Sequence, residues 1–156
     1  RYQDAVAQAR AHVRPAPFAI VASDHDPDVL ADAQHNLRRC PPEVVRALTV
    51  RAQDVRTMVG SDPPGVVVSN PPYGERLNSE SLQAFWRGLG IRLRTLDGHT
   101  GFLLCASDDM RRALGLGATW ERKLMNGPIR VTLCRFELGR QSHDTARGLR
   151  RRKGRK

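Results

Sequence analysis

Asn70-Pro71-Pro72-Tyr73 is the stretch whose residue types and spacing could do chemistry. It directly follows Val66-Val67-Val68-Ser69, an apolar run of strand length. Two prolines in a row stiffen the backbone, because each locks its own φ and restricts the residue before it. On that rigid frame the Asn70 side-chain oxygen and the Pro71 carbonyl can both accept hydrogen bonds from a planar NH2 group. Those bonds would turn the nitrogen lone pair toward an incoming methyl group. Tyr73 adds a flat face on which a base can stack. A neutral aromatic amine needs alignment and stabilisation of the charge developing on nitrogen, more than a strong base. The lack of a placed catalytic His or Lys fits that requirement.

Two acids stand in comparable positions. Asp24, followed by His25 and Asp26, comes after the apolar run Phe18–Ala22, and Asp54 comes after Leu48–Ala52. In an open α/β sheet, ligands bind at the carboxyl ends of the strands, and an acid there suits a ribose diol. Asp26 alone reads as a helix cap, and Asp24 or Asp54 alone could be a turn acid. The three positions together, Asp24, Asp54 and Asn70 to Tyr73, point to a ligand site. His25 between two acids invites a metal reading, but adjacent strand residues face opposite ways, and no metal is expected. The remaining histidines, His12, His35, His99 and His143, have no ligand spacing.

The elements that must position these residues follow from periodicity and punctuation. Residues 3–13 are Ala-rich and predict a helix, stopped by Pro15 and Pro17. Pro27 starts a second helix with Asp26 as its cap, carried by Val29, Leu30, Ala33 and Leu37. Ser79 can cap a helix from Glu80 to about Leu96, with Leu82, Phe85, Trp86, Leu89 and Leu93 on one face. Thr100–Ala106 predicts a strand, and Asp108 or Asp109 the cap of a short helix to Leu114. Ala118–Leu124 and Ile129–Leu138 predict two strands joined at an Asn126-Gly127 hairpin. Alternating strands and helices closed by a hairpin make an α/β sheet, mostly parallel with an antiparallel end.

The bulk composition bounds the partners. The 156 residues suit one domain, and 40% hydrophobic with 27% charged suits an ordinary globular chain. No apolar run approaches the roughly 18 residues of a membrane span, and Arg1-Tyr2-Gln3-Asp4 is not a secretion signal. Cys40, Cys105 and Cys134 lie far apart, which argues against zinc or disulfide frameworks and fits a reducing cytoplasm. Of the net charge of +10, residues 140–156 supply +7, from eight basic residues against Asp144. That basic tail, expected to be disordered, favours a polyanion, most simply nucleic acid. A solubilising end is the plainer alternative for it.

With those residues in view, Ser69-Asn70-Pro71-Pro72-Tyr73-Gly74-Glu75-Arg76-Leu77 resembles the fourth motif of class I S-adenosylmethionine-dependent methyltransferases. The extension Gly74 to Leu77 is similar to the RNA guanine-N2 methyltransferases that usually carry a THUMP domain, the large-subunit ribosomal RNA type included. Ser23-Asp24-His25-Asp26-Pro27, with Ala33 and Asn36, resembles that family's second strand and helix. Lys123 to Ile129, with Leu133 and Phe136, resembles its terminal hairpin. The likeness spans about residues 18–138. It implies a Rossmann-like methyltransferase sheet, S-adenosylmethionine as cofactor, and RNA, ribosomal RNA in particular, as partner.

Carried over by position, the resemblance implies that Asp24 binds the cofactor ribose with His25 beside it, and that Asp54 lies near the adenine. Asn70, Pro71, Pro72 and Tyr73 would be the catalytic group, with Asn70 also near the cofactor. Tyr73 would stack on the base and Arg76 would help place the substrate. The family's Gly-rich first motif and THUMP domain are absent, so residues 1–139 are expected to be part of a methyltransferase domain that binds cofactor weakly alone. DNA adenine-N6 and protein glutamine-N5 methyltransferases share the tetrapeptide. A non-catalytic RNA-binding module is the alternative from another class.

Overall fold

The computed structural model describes residues 1–73 and 79–139 of the chain. The Arg76 assignment, the rest of the Gly74–Leu77 extension and the basic tail lie outside the described residues. Two compact units divide at Val55 and Arg56.

The first unit begins with helix α1 (Tyr2–Ala11), which ends before Pro15 as its sequence requires. Strand β1 (Ile20–Asp24) starts two residues later than the apolar run and includes Asp24 as its last residue. Helix α2 (Pro27–Leu37) follows, with Pro27 in its first turn. Asp26 is its cap, as expected: its Oδ1 accepts from the backbone N–H of Asp28 at 2.9 Å and of Val29 at 3.4 Å. Helix α3 (Pro42–Ala47) had no sequence expectation. Its first residue is the second of a Pro-Pro pair, and only two turns separate it from the next strand. Strand β2 (Leu48–Ala52) has the expected bounds and runs parallel to β1, with Asp24 opposite Ala52. Leu30 is the one buried apolar side chain among the described residues of this unit.

A short 3₁₀ turn, Val55–Thr57, leads into the second unit. That unit holds strand β3 (Val66–Ser69), helix α4 (Ser79–Leu93), strand β4 (Thr100–Cys105) and helix α5 (Asp108–Leu114). Strands β5 (Trp120–Asn126) and β6 (Ile129–Glu137) complete it. The sheet order is β3-β4-β6-β5, with β3 parallel to β4 and both hairpin strands antiparallel to their neighbours. A parallel beginning and an antiparallel end are what the alternation of elements predicted. Among the described residues β3 pairs on one edge only, with β4, and β1 pairs only with β2.

The core of the second unit sits between one sheet face and two helices. Leu82, Trp86, Leu89 and Leu93 recur every three or four residues along α4 and are all buried. They join Leu103 and Cys105 of β4, Met110 and Leu114 of α5, and Cys134 and Phe136 of β6. Helices α4 and α5 approach very closely at Gly90, where an added Cβ would stand 1.9 Å from the Leu114 carbonyl oxygen. Arg94, just past the end of α4, donates to the carbonyls of Leu114 and Gly115 at 3.0 and 3.3 Å. It thereby satisfies acceptors that the end of α5 leaves open. The cap of α5 is Ser107, whose Oγ accepts from the Met110 N–H at 3.1 Å, rather than Asp108 or Asp109. The two acids are instead in the first turn and ion-pair with Arg111 and Arg112.

His99 fastens the loop ahead of β3. It is buried, and its Nε2 accepts from the Ser61 N–H at 3.0 Å while Nδ1 lies 3.1 Å from the Asp97 carbonyl. Accepting at Nε2 leaves the proton on Nδ1, which donates to that carbonyl.

Candidate functional site

The sequence-selected residues fall into two groups, one in each unit. In the first unit, Asp24 closes β1, and its carbonyl accepts from the Gln53 N–H at 2.8 Å. This bond ties the carboxyl ends of β1 and β2 together and brings Asp24 and Asp54 to one edge of the parallel pair. Asp24 is half-buried. Its Oδ1 accepts from the Asp26 N–H at 3.0 Å and lies 3.2 Å from His25 Nδ1. Its Oδ2 has no hydrogen-bond partner among the described residues, so one carboxylate oxygen of an oriented side chain remains to accept from a diol. His25 itself is exposed.

In the second unit, Asn70 to Tyr73 leaves the carboxyl end of β3. Pro71 is buried, while Asn70 and Pro72 are exposed. The buried Trp86 of α4 donates its indole N–H to the Pro72 carbonyl at 3.1 Å. Prolines leave the turn with few N–H groups of its own, so this tertiary bond helps to fix it. Tyr73 is half-buried, and its hydroxyl accepts from the Asn126 side-chain amide at the end of β5. The tetrapeptide is thus held from below by α4 and from the side by the hairpin, with the Asn70 side chain exposed.

The hairpin reaches Tyr73 because of its register. Cys105, the last residue of β4, pairs with Thr132, so Ile129, Arg130 and Val131 of β6 extend past β4 and pair with β5 alone. Asn126 pairs with Ile129, which makes Gly127-Pro128 the two-residue loop. Gly127 takes φ +58°, and Pro128 cannot take a positive φ. The turn is therefore of the type II′ kind, not the Asn-Gly type I′ that the dipeptide suggests. The shift by one residue puts Asn126 at a strand end, where its side chain serves Tyr73.

Sequence reasoning missed two contributors. Trp86 was legible only as a core residue, although a buried indole N–H needs an acceptor. Asn126 was legible only as a turn signal. At the end of β4, Cys105 and Cys134 share the buried sheet face. The hydrogen bond with Cys134, together with burial, pushes the Cys105 thiol well above the ordinary thiol range. Among the described residues no group of three or more His, Cys, Asp or Glu is placed to hold a metal ion. No helix there is long and apolar enough to cross a membrane.

Parallel strands, helices between them and an antiparallel closing hairpin are the elements of a class I methyltransferase fold. The crystal structure of a possible methylase from Clostridium difficile 630 has this fold, with a TM-score of 0.75 at 24% identity over 88% of this chain and 36% of that one. The crystal structure of SMU.472 complexed with SAH is similar at 28% identity and a TM-score of 0.70, over 77% of this chain and 31% of that one. Residues 2–135 match the RMKL-like methyltransferase domain, and the chain belongs to that family. The ribosomal RNA large subunit methyltransferase K/L of Vibrio campbellii is 32% identical over 149 residues, which cover 93% of this chain. The chain spans about a fifth of the length of that relative and of the two similar K/L relatives from Vibrio parahaemolyticus and Hahella chejuensis.

Proposed function

We propose that this domain transfers a methyl group from S-adenosylmethionine to the exocyclic N2 amine of a guanine in RNA, and that the RNA is ribosomal. The observation that carries the reading is the presentation of Asn70. Its backbone leaves β3 into a turn fixed by Pro71 burial and the Trp86 bond, so an exposed amide oxygen stands on a rigid support. S-adenosylmethionine supplies the electrophilic methyl group when bound.

The residues fit that cofactor at the atom the structure leaves available. Asp24 has one carboxylate oxygen committed to the Asp26 N–H and one without a hydrogen-bond partner among the described residues, and the second suits a ribose hydroxyl. Asp54, at the end of the neighbouring parallel strand, is the acceptor for the adenine amino group, and His25 flanks the ribose. Asn70 Oδ1 and the Pro71 carbonyl accept the two N2 protons of guanine. Both bonds strengthen as the nitrogen becomes cationic, so they stabilise the transition state more than the ground state. Tyr73, tethered through its hydroxyl, offers its ring for stacking. Pro72 serves by holding the geometry. Arg76 would help to place the substrate.

Asn70→Ala is the test. Calorimetric titration should show S-adenosylmethionine affinity close to that of the unaltered protein. Transfer to ribosomal RNA should fall by about 10²–10³, the usual cost of one charge-stabilising contact. Equal loss of binding and transfer would sink the role given to Asn70. Transfer to DNA or to a protein amide, with none to RNA, would replace the substrate while keeping the chemistry.

A further inference from the structure

An open cavity of about 790 Å³ lies in the second unit, between the end of β4, the start of α5 and the overhanging hairpin. Three cations, Arg111, Lys123 and Arg130, and one carboxylate, Asp108, line it, together with the hydroxyls of Ser107 and Thr132. The cations are not equivalent. Arg111 bonds Asp108 and Glu121, at 2.8 Å to the latter, and so braces α5 against β5. Those carboxylates hold the guanidinium in its charged form, and the Arg111 bond holds the Asp108 carboxyl below its usual range. Lys123 and Arg130 are exposed and make no ion pair with any described residue.

Their register explains why that matters. Lys123 pairs with Thr132, and Met125 pairs with Arg130, so the four side chains share one face of the hairpin. Lys123 and Arg130 are diagonal neighbours on it, roughly 7–8 Å apart at the backbone. Two like charges at that distance, with no acid between them, repel each other. A phosphate placed between them removes the repulsion and takes a charge-assisted hydrogen bond from each. Met125, also in the lining and well exposed, offers apolar surface to a sugar or base beside that phosphate.

We infer that this cavity seats a backbone phosphate of the RNA strand that carries the methylated guanine, with Lys123 and Arg130 as its ligands. The inference rests on the proposed RNA methylation and adds the place where the strand is gripped. Asn126, which holds Tyr73, is three residues from Lys123 on the same strand, about 10 Å at the usual rise, with its side chain on the opposite face, that of Arg122. The hairpin therefore carries the tether of Tyr73 on one face and the phosphate seat on the other, in one piece.

The test is the salt dependence of binding to a fluorescent single-stranded RNA, compared between the protein and its Lys123→Gln/Arg130→Gln variant. Each phosphate contact contributes about 0.7 to the slope of log K against log salt for single strands. The double variant should bind more weakly, and its slope should be shallower by about 0.7, the share of the one phosphate seated there. Arg122→Gln removes the same charge from the opposite face of β5 and should leave the slope nearly unchanged. Lys123→Arg/Arg130→Lys should restore it, which excludes a folding defect. An unchanged slope in the neutral variant, or an equal change in Arg122→Gln, overturns the seat even if the protein methylates RNA. A lost slope in a protein that methylates no RNA keeps the seat and removes the methylation reading instead.

Discussion

Asn70 and Tyr73 are held in different ways, and that difference sets what each substitution does. Asn70 is exposed on a stiff backbone, so its removal should leave the fold intact and act on transfer alone. Tyr73 is part of a tertiary hydrogen bond. Tyr73→Phe keeps the ring and loses the tether to Asn126, and Asn126→Ala loses the same tether from the other side. The two effects should therefore not add. A double-mutant cycle on unfolding by urea should give a coupling of about 0.5–1.5 kcal/mol, the usual net worth of one such bond. Additive effects would mean that the contact contributes nothing. Tyr73→Phe should retain most transfer and Tyr73→Ala should lose it, because the proposed stacking uses the ring.

At the scale of elements, α4 supports the site through Trp86 and packs against α5 at Gly90. Gly90→Ala sets two effects against each other. Alanine is better than glycine in a helix by about 0.8–1.0 kcal/mol. The new methyl group would also meet the Leu114 carbonyl at 1.9 Å, a contact with backbone that side-chain rotation cannot relieve. Forcing the helices apart costs about 1–3 kcal/mol, so the variant should be less stable, with a lower urea midpoint. A higher midpoint would mean that α5 can move at little cost. Trp86→Phe keeps the core filled and removes the bond to the Pro72 carbonyl. Its cost should appear as slower methyl transfer in addition to a loss of about 1 kcal/mol in stability.

For the whole molecule, the distribution of burial predicts the pattern of thiol reactivity. Cys40 is exposed, and Cys105 and Cys134 are buried. One thiol should react quickly with a disulfide reagent in the native protein, and all three after denaturation. Cys40→Ser should remove the fast phase. A second fast phase would show that the β4–β6 region opens readily.

Local chemistry determined much of this protein before any folding was considered. Asp26 and Pro27 specify the start of α2, the bounds of β2 follow from its apolar run, and the spacing of Leu82, Trp86, Leu89 and Leu93 specifies the buried face of α4. Asn70 to Tyr73 and Asp24 were legible as strand-end chemistry for the same reason, since rigid prolines and acids at apolar run ends are local signals. What no local pattern holds is which distant groups meet. The start of α5 was misread because Ser107 competes with two acids that Arg111 and Arg112 draw aside. The Trp86 bond, the Asn126 tether and the shared face of Lys123 and Arg130 depend on helix packing and on a hairpin register that a single residue would invert. Tertiary structure alone decided those, because each depends on residues that only the folded sheet brings together.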